Sequence, residues 1–119
     1  MSNIATILKR AKGYIDTPEK WYQGDWQSDN GQCFCTMGAI VKALDLDLCT
    51  VTAWDYTHTK RDIHDHPATK VLQDVIGIAP DFHFGEMGSV ASWNDYNGRT
   101  HSEVMEAFDK AIAKASQDV

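Results

Sequence analysis

The sequence predicts a mainly α protein: a compact bundle of four or five short helices in a single domain spanning residues 1–119. One segment around residues 48–54 reads equally well as a short β segment. Three observations carry this prediction. Apolar residues recur at i, i+3, i+4, i+7 in four separate stretches. Helix-starting signals stand at Thr17-Pro18, His66-Pro67 and Thr100-x-x-Glu103. A length of 119 residues with 43% hydrophobic and 24% charged side chains suits one globular core.

The first stretch is Ile4, Ile7, Leu8, Ala11, Tyr14 and Ile15, an amphipathic helix with Ser2 or Asn3 as its cap and Gly13 weakening its last turn. Thr17-Pro18 opens a short helix through Trp21. Residues 22–32 form a polar loop with two glycines. Cys33 to about Leu44 is the next helix, with Met37, Ile40, Val41 and Leu44 as its buried stripe. Gly38 inside it costs about 1 kcal/mol relative to alanine, so its presence implies close packing by another element.

Residues 45–66 are the least legible. Cys49, Val51 and Ala53 alternate with Thr50 and Thr52, which suits a strand, while a helix from Thr50 through Tyr56 is equally defensible. His66-Pro67 starts a helix with Val71, Leu72, Val75 and Ile76 on its inner face, stopped by Gly77. Residues 78–88 read as a loop anchored by Phe82 and Phe84, and Ser89 to Trp93 as a helical turn. The last helix buries Val104, Ala107, Phe108, Ala111, Ile112 and Ala115, with Glu106 and Lys110 paired on its outer face.

The net charge is −6, and the acidic excess falls on residues 25–95. No basic stripe exists, so nucleic acid is not an expected partner. No apolar run approaches the roughly 20 residues that span a bilayer, and residues 1–10 do not read as a signal peptide, so the expected compartment is the cytoplasm. Cys33 and Cys35 lack C-x-x-C spacing, and all three cysteines read as reduced thiols.

The densest stretch runs from Trp93 to Val104. It holds two aromatics, Asn94-Asp95, the turn dipeptide Asn97-Gly98, Arg99 and a capping box of Thr100 with Glu103. Together with Trp21-x-Gln23-Gly24, Cys35-x-x-Gly38-Ala39-Ile40 and Arg99-Thr100-x-x-Glu103-Val104, the Trp93-Asn94-Asp95 motif resembles a family of small bacterial and tailed-phage proteins classed as a domain of unknown function. The resemblance implies a phage or bacterial accessory protein and supplies no mechanism.

Two readings of these residues stand side by side. As a binding site, Trp21, Gln23, Gly24, Cys35, Trp93, Asn94, Asp95, Arg99, Thr100 and His101 would form a small polar pocket. Aromatic walls would come from Trp21 and Trp93, and the pocket would take a nucleotide or another anionic small molecule. As structure, Asp95 pairs with Arg99 across the turn, Asn94 bonds the loop backbone, and the tryptophans pack.

Asp62, His64, Asp65 and His66, with His58, Asp81 and His83 elsewhere, offer metal-ligand chemistry. No third ligand is fixed by spacing, and a solvated polar loop is the simpler reading; no metal or other cofactor is expected. Cys35 with His101 as base, oriented by Asn94 or Asp95, would make a nucleophile, against which stands the apolar stripe around Cys35. No recognised catalytic signature is present. The leading expectation is therefore a non-enzymatic protein that binds another macromolecule, a protein partner such as a host or defence protein. The alternatives are the anion binder and a small metal- or cysteine-dependent hydrolase.

Overall fold

Thr36–Ala43 forms a helix buried on nearly all sides. In the computed structural model, residues 3–46, 63, 66–77, 90–96 and 98–117 are described. They contain five α-helices and one 3-10 turn: α1 (Asn3–Tyr14), the turn Pro18–Lys20, α2 (Thr36–Ala43), α3 (Pro67–Ile76), α4 (Val90–Asp95) and α5 (His101–Gln117). The protein is mainly α, and the described residues form no sheet; Phe34 alone makes isolated bridges to Trp21 and Gln27. The alternating segment around residues 48–54, the loop 78–88, Ser2, Ser89 and Asn97 lie outside the described residues.

α2 is short because its predicted first turn is held otherwise. Phe34 donates its N–H to Lys20 and its carbonyl accepts from Tyr22, so both backbone groups serve the preceding loop. The helix therefore starts at Thr36 rather than Cys33. Cys35 is its N-cap in extended conformation, with Sγ accepting the Gly38 N–H at 3.4 Å. From Thr36 to Ala43 every residue except Lys42 is buried, so the expected stripe is instead nearly the whole circumference. A helix apolar on all sides belongs at the centre of a domain.

Gly38 explains one contact at the atomic level. A Cβ there would lie 1.9 Å from the Trp26 carbonyl oxygen, so the 22–32 loop lies directly on the helix backbone. The packing partner implied by this glycine is thus a loop carrying a buried tryptophan, not another helix.

α1 packs on α2 and α5; of its expected stripe Leu8, Ala11 and Ile15 are buried and Ile4, Ile7 and Tyr14 half-buried, while Ala5, outside that stripe, is buried as well. α5 contributes Val104, Ala107, Phe108, Ala111 and Ala115, with Ile112 half-buried. Glu106 and Lys110 pair at 3.0 Å on its exposed side.

α3 starts and stops where expected. His66 caps it, with Nδ1 accepting the Ala68 N–H at 3.1 Å, and Gly77 ends it at φ 83°. Its inner face is rotated from the expected one. Ala68, Thr69, Leu72 and Gln73 are buried, whereas Val71, Val75 and Ile76 are half-buried against the core. Apolar spacing does not report the small and polar residues Ala68, Thr69 and Gln73. Thr69 is tolerated inside because its hydroxyl donates to the Ile63 carbonyl at 2.7 Å.

Two glycines give opposite expectations. Gly38→Ala forces the Trp26 loop off α2 and is expected to destabilise by about 3 kcal/mol or more, beyond ordinary overpacking. Gly13→Ala meets nothing within 4 Å on an exposed helical position and is expected to stabilise by about 0.5–1 kcal/mol. Urea denaturation of both variants checks the pair.

His66 supplies a pH dependence. Its burial holds its pKa below the ordinary histidine value. As pH falls, the unfolded chain takes up this proton before the folded chain does. The stabilisation is therefore complete above about pH 6.5 and is lost as pH falls through the folded value. The charged ring also loses the acceptor that caps α3 and places a cation at a helix N-terminus. His66→Asn keeps a capping acceptor without titrating. Its melting temperature is expected to fall less than that of the wild type between pH 7 and pH 5.

Candidate functional site

α4 is one and a half turns long, and its last residues point into a junction of three segments. Asn94 is fully buried at 0% exposure. Its Oδ1 accepts from Trp21 Nε1 at 2.7 Å, Thr36 Oγ1 at 2.8 Å and Thr36 N at 3.0 Å. Its Nδ2 donates to the Tyr22 carbonyl and to Asp95 Oδ1, each at 3.0 Å. One side chain thereby joins the 3-10 turn and its loop, the first residue of α2, and α4.

The final carbonyls of α4 lack helical partners, as at any helix end. Gln23 Nε2 reaches the carbonyls of Asn94 at 2.9 Å and Tyr96 at 3.2 Å. Arg99 Nε takes the Trp93 carbonyl at 2.9 Å. Gly24, at φ 105°, turns its N–H onto Asp95 Oδ1 at 2.9 Å. The Trp-x-Gln-Gly motif and the Trp-Asn-Asp motif are thus two halves of one hydrogen-bonded clasp.

The expected Asp95–Arg99 pair gives way to other partners. Asp95 is directed to Gly24 and Asn94. The chain between them reverses through a turn closed by Arg99 N on the Tyr96 carbonyl, with Gly98 at φ 94°. This sends the guanidinium back over the end of α4, 4.3 Å from the Trp93 ring centroid and 5.4 Å from that of Tyr96. Its carboxylate partner is Glu103, with Nη1 3.5 Å from Oε2. Glu103 mainly completes the capping box: its Oε1 accepts from Thr100 N at 2.8 Å, and Thr100 Oγ1 accepts from Glu103 N at 3.2 Å. The Thr100 backbone hydrogen bond, followed by the Thr100 hydroxyl and Arg99, holds the Glu103 carboxyl below its ordinary pKa.

The polar pocket between Trp21 and Trp93 is replaced by direct contacts. Trp21 is occupied by Asn94 and lies beside His101, ring centroids 6.2 Å apart. His101 Nε2 is 2.7 Å from the Ile15 carbonyl, which ties the start of α5 to the end of α1. Trp93 faces elsewhere and lines an open cleft of about 180 Å³ between α3 and α5, together with Val75, Ile76, Arg99 and Ala107. Glu103, Glu106 and Lys110 complete its rim. The sequence reading missed this cleft, and also Thr36, whose place directly after the capping Cys35 was its one available signal.

Cys35 is built as a structural thiol. Burial, reinforced by the negative charge of Asp95, pushes its pKa up to about 12 despite the Gly38 N–H, so no thiolate forms at neutral pH. Its expected base, His101, is held on Ile15. Among the described residues, no group of three or more His, Cys, Asp or Glu side chains is placed to hold a metal ion. Of the histidine-rich stretch, only His66 is described, and its Nδ1 caps α3; His58, His64, His83 and the neighbouring aspartates lie outside the described residues. No described helix is long and apolar enough to cross a membrane.

Fold and junction together define a small helical domain whose sequence motifs clasp one loop to two helices. The chain belongs to a family of unknown function (DUF6197), whose model matches residues 1–114. No curated protein and no solved structure matches the chain.

Asn94→Ala removes the partners of the Trp21 indole, the Thr36 N–H and the Tyr22 carbonyl at one stroke. With about 1–3 kcal/mol for each buried group left unmatched, a loss of at least about 3 kcal/mol is expected by chemical denaturation. In a double-mutant cycle, Asp95→Ala and Arg99→Ala are expected to add without coupling.

Proposed function

We propose that the chain is a non-catalytic binding protein that engages another protein. The observation that supports this most strongly is the saturation of the junction. Asn94, Gln23, Asp95 and His101 all have internal partners, and Cys35 is held as a neutral thiol. The residues that looked most like chemistry therefore serve the fold, which leaves recognition to the surface. The four motifs, through the family they resemble, favour a bacterial or phage accessory role with a host or defence protein as partner. The free thiols of Cys33 and Cys35 favour a reducing compartment such as the cytoplasm.

The nucleotide reading is weaker on electrostatic grounds. Arg99 and Lys110 at the cleft are matched by Glu103 and Glu106, so a phosphate dianion there meets two carboxylates.

The test is reconstitution. A partner captured by the tagged protein is purified separately, and the complex is re-formed by size-exclusion chromatography, with its footprint mapped by hydrogen exchange. The expected result is a defined stoichiometric complex. A nucleotide or phosphate ester that raises the melting temperature in a ligand screen, with the effect lost in Arg99→Ala, would overturn this reading in favour of small-anion binding.

A further inference from the structure

Arg99 is unusually well held for a surface cation. Its side chain is 17% exposed. Nε is fixed on the Trp93 carbonyl, and the guanidinium plane lies against two aromatic rings. The outer edge is less occupied. Nη1 meets Glu103 only at 3.5 Å, the long limit of a hydrogen bond, and no described residue accepts from Nη2. Glu103 in turn is committed through Oε1 to Thr100. The result is a preorganised guanidinium fork at the edge of the cleft, with donors that no described residue fills.

The other walls narrow what can use this fork. Val75, Ile76 and Ala107 supply apolar surface, and Glu103 and Glu106 repel multiply charged anions. A planar, singly charged carboxylate matches an arginine fork in both geometry and charge. The volume of about 180 Å³ lies below the roughly 300–1,000 Å³ of sites that enclose a drug-sized ligand. It suits one apolar residue. The last residue of a polypeptide carries an apolar side chain and a carboxylate on the same Cα, so both features arrive together.

We infer that the cleft between α3 and α5 captures the C-terminal residue of a partner polypeptide, with its carboxylate on Arg99 and its apolar side chain against Val75 and Ile76. This rests on the protein-binding reading above and gives it a location and a chemistry. Cation and aromatic faces are arranged so that Arg99 loses little freedom on binding, which is the advantage of a preformed site.

Acetylated hexapeptides ending in valine, leucine or phenylalanine, the same peptides as C-terminal amides, N-acetyl-leucine and inorganic phosphate are titrated into the isotope-labelled protein. Amide shifts of Val75, Ile76, Arg99 and Ala107 report binding. At least one acid peptide is expected to shift these residues, with its amide binding at least tenfold more weakly and phosphate not binding. Arg99→Lys keeps the charge but loses the fork, and it is expected to weaken the acid peptide about tenfold. Ile76→Glu, at the half-buried end of α3, is expected to do the same while the amide spectrum stays folded. Equal binding of acid and amide would overturn carboxylate recognition. N-acetyl-leucine binding as tightly as the peptides would overturn the polypeptide assignment in favour of a small carboxylate. No shift at the cleft with any peptide would overturn the site, while the reconstituted complex would still decide the wider reading.

Discussion

The structure depends on the burial of one primary amide. Asn94 is the only side chain that contacts the loop after the 3-10 turn, the start of α2 and the neighbouring Asp95 through its own polar atoms among the described hydrogen bonds. A buried amide is unfavourable unless its donors and acceptors are satisfied, and here the carbonyl accepts three bonds and the amino group donates two. The cost of burying Asn94 is thus offset only when all three segments are in place. That condition links the motifs: Trp21 supplies the indole donor, Gln23 and Gly24 finish the end of α4, and Cys35 sets the position at which Thr36 begins its helix.

This logic separates the two halves of the long Trp93–Val104 stretch. In its first half, the side chains of Asn94 and Asp95 are taken up by the clasp, although Tyr96 beside them is 65% exposed and Trp93 lines the cleft. Its second half, from Arg99 onward, caps α5 and presents a guanidinium edge to solvent. Adjacent motif residues therefore differ in availability, and nearness in sequence to Asn94 says little about exposure. The guanidinium is positioned by the Trp93 carbonyl near the end of α4, so the external feature inherits its geometry from the internal one.

Much of the fold was legible because α1 and α5 are ordinary amphipathic helices with one apolar face each. The start and stop of α3 were legible because His66-Pro67 and Gly77 act through local backbone chemistry. The buried face of α3 was not, since Thr69 is admitted by its bond to the Ile63 carbonyl and no periodicity reports it or Gln73. The start of α2 was misplaced because Phe34 bonds Lys20 and Tyr22, a tertiary arrangement that overrides local propensity. At the junction, the structure joins Trp21, Gln23, Gly24, Asn94 and Asp95 in pairings that sequence separation does not suggest. Sequence separation suggested Asp95 with Arg99, but the Gly98 turn redirects the arginine, and Gly24, 71 residues away from Asp95, takes the carboxylate.

The brevity of α4 has a kinetic consequence. Six residues cannot sustain a helix in water, because nucleation is unfavourable and few turns follow to offset it. Its anchors, Trp21 and Gln23, lie 73 and 71 positions away from Asn94 in the chain. Closing so large a loop precedes any gain from the clasp, so α4 is expected to condense only after α2 and α3 have assembled the surface that receives it. With the same order run backwards, the clasp is expected to open while the central helix stays folded. Its amide protons then exchange with solvent through a local opening well before the central helix gives way.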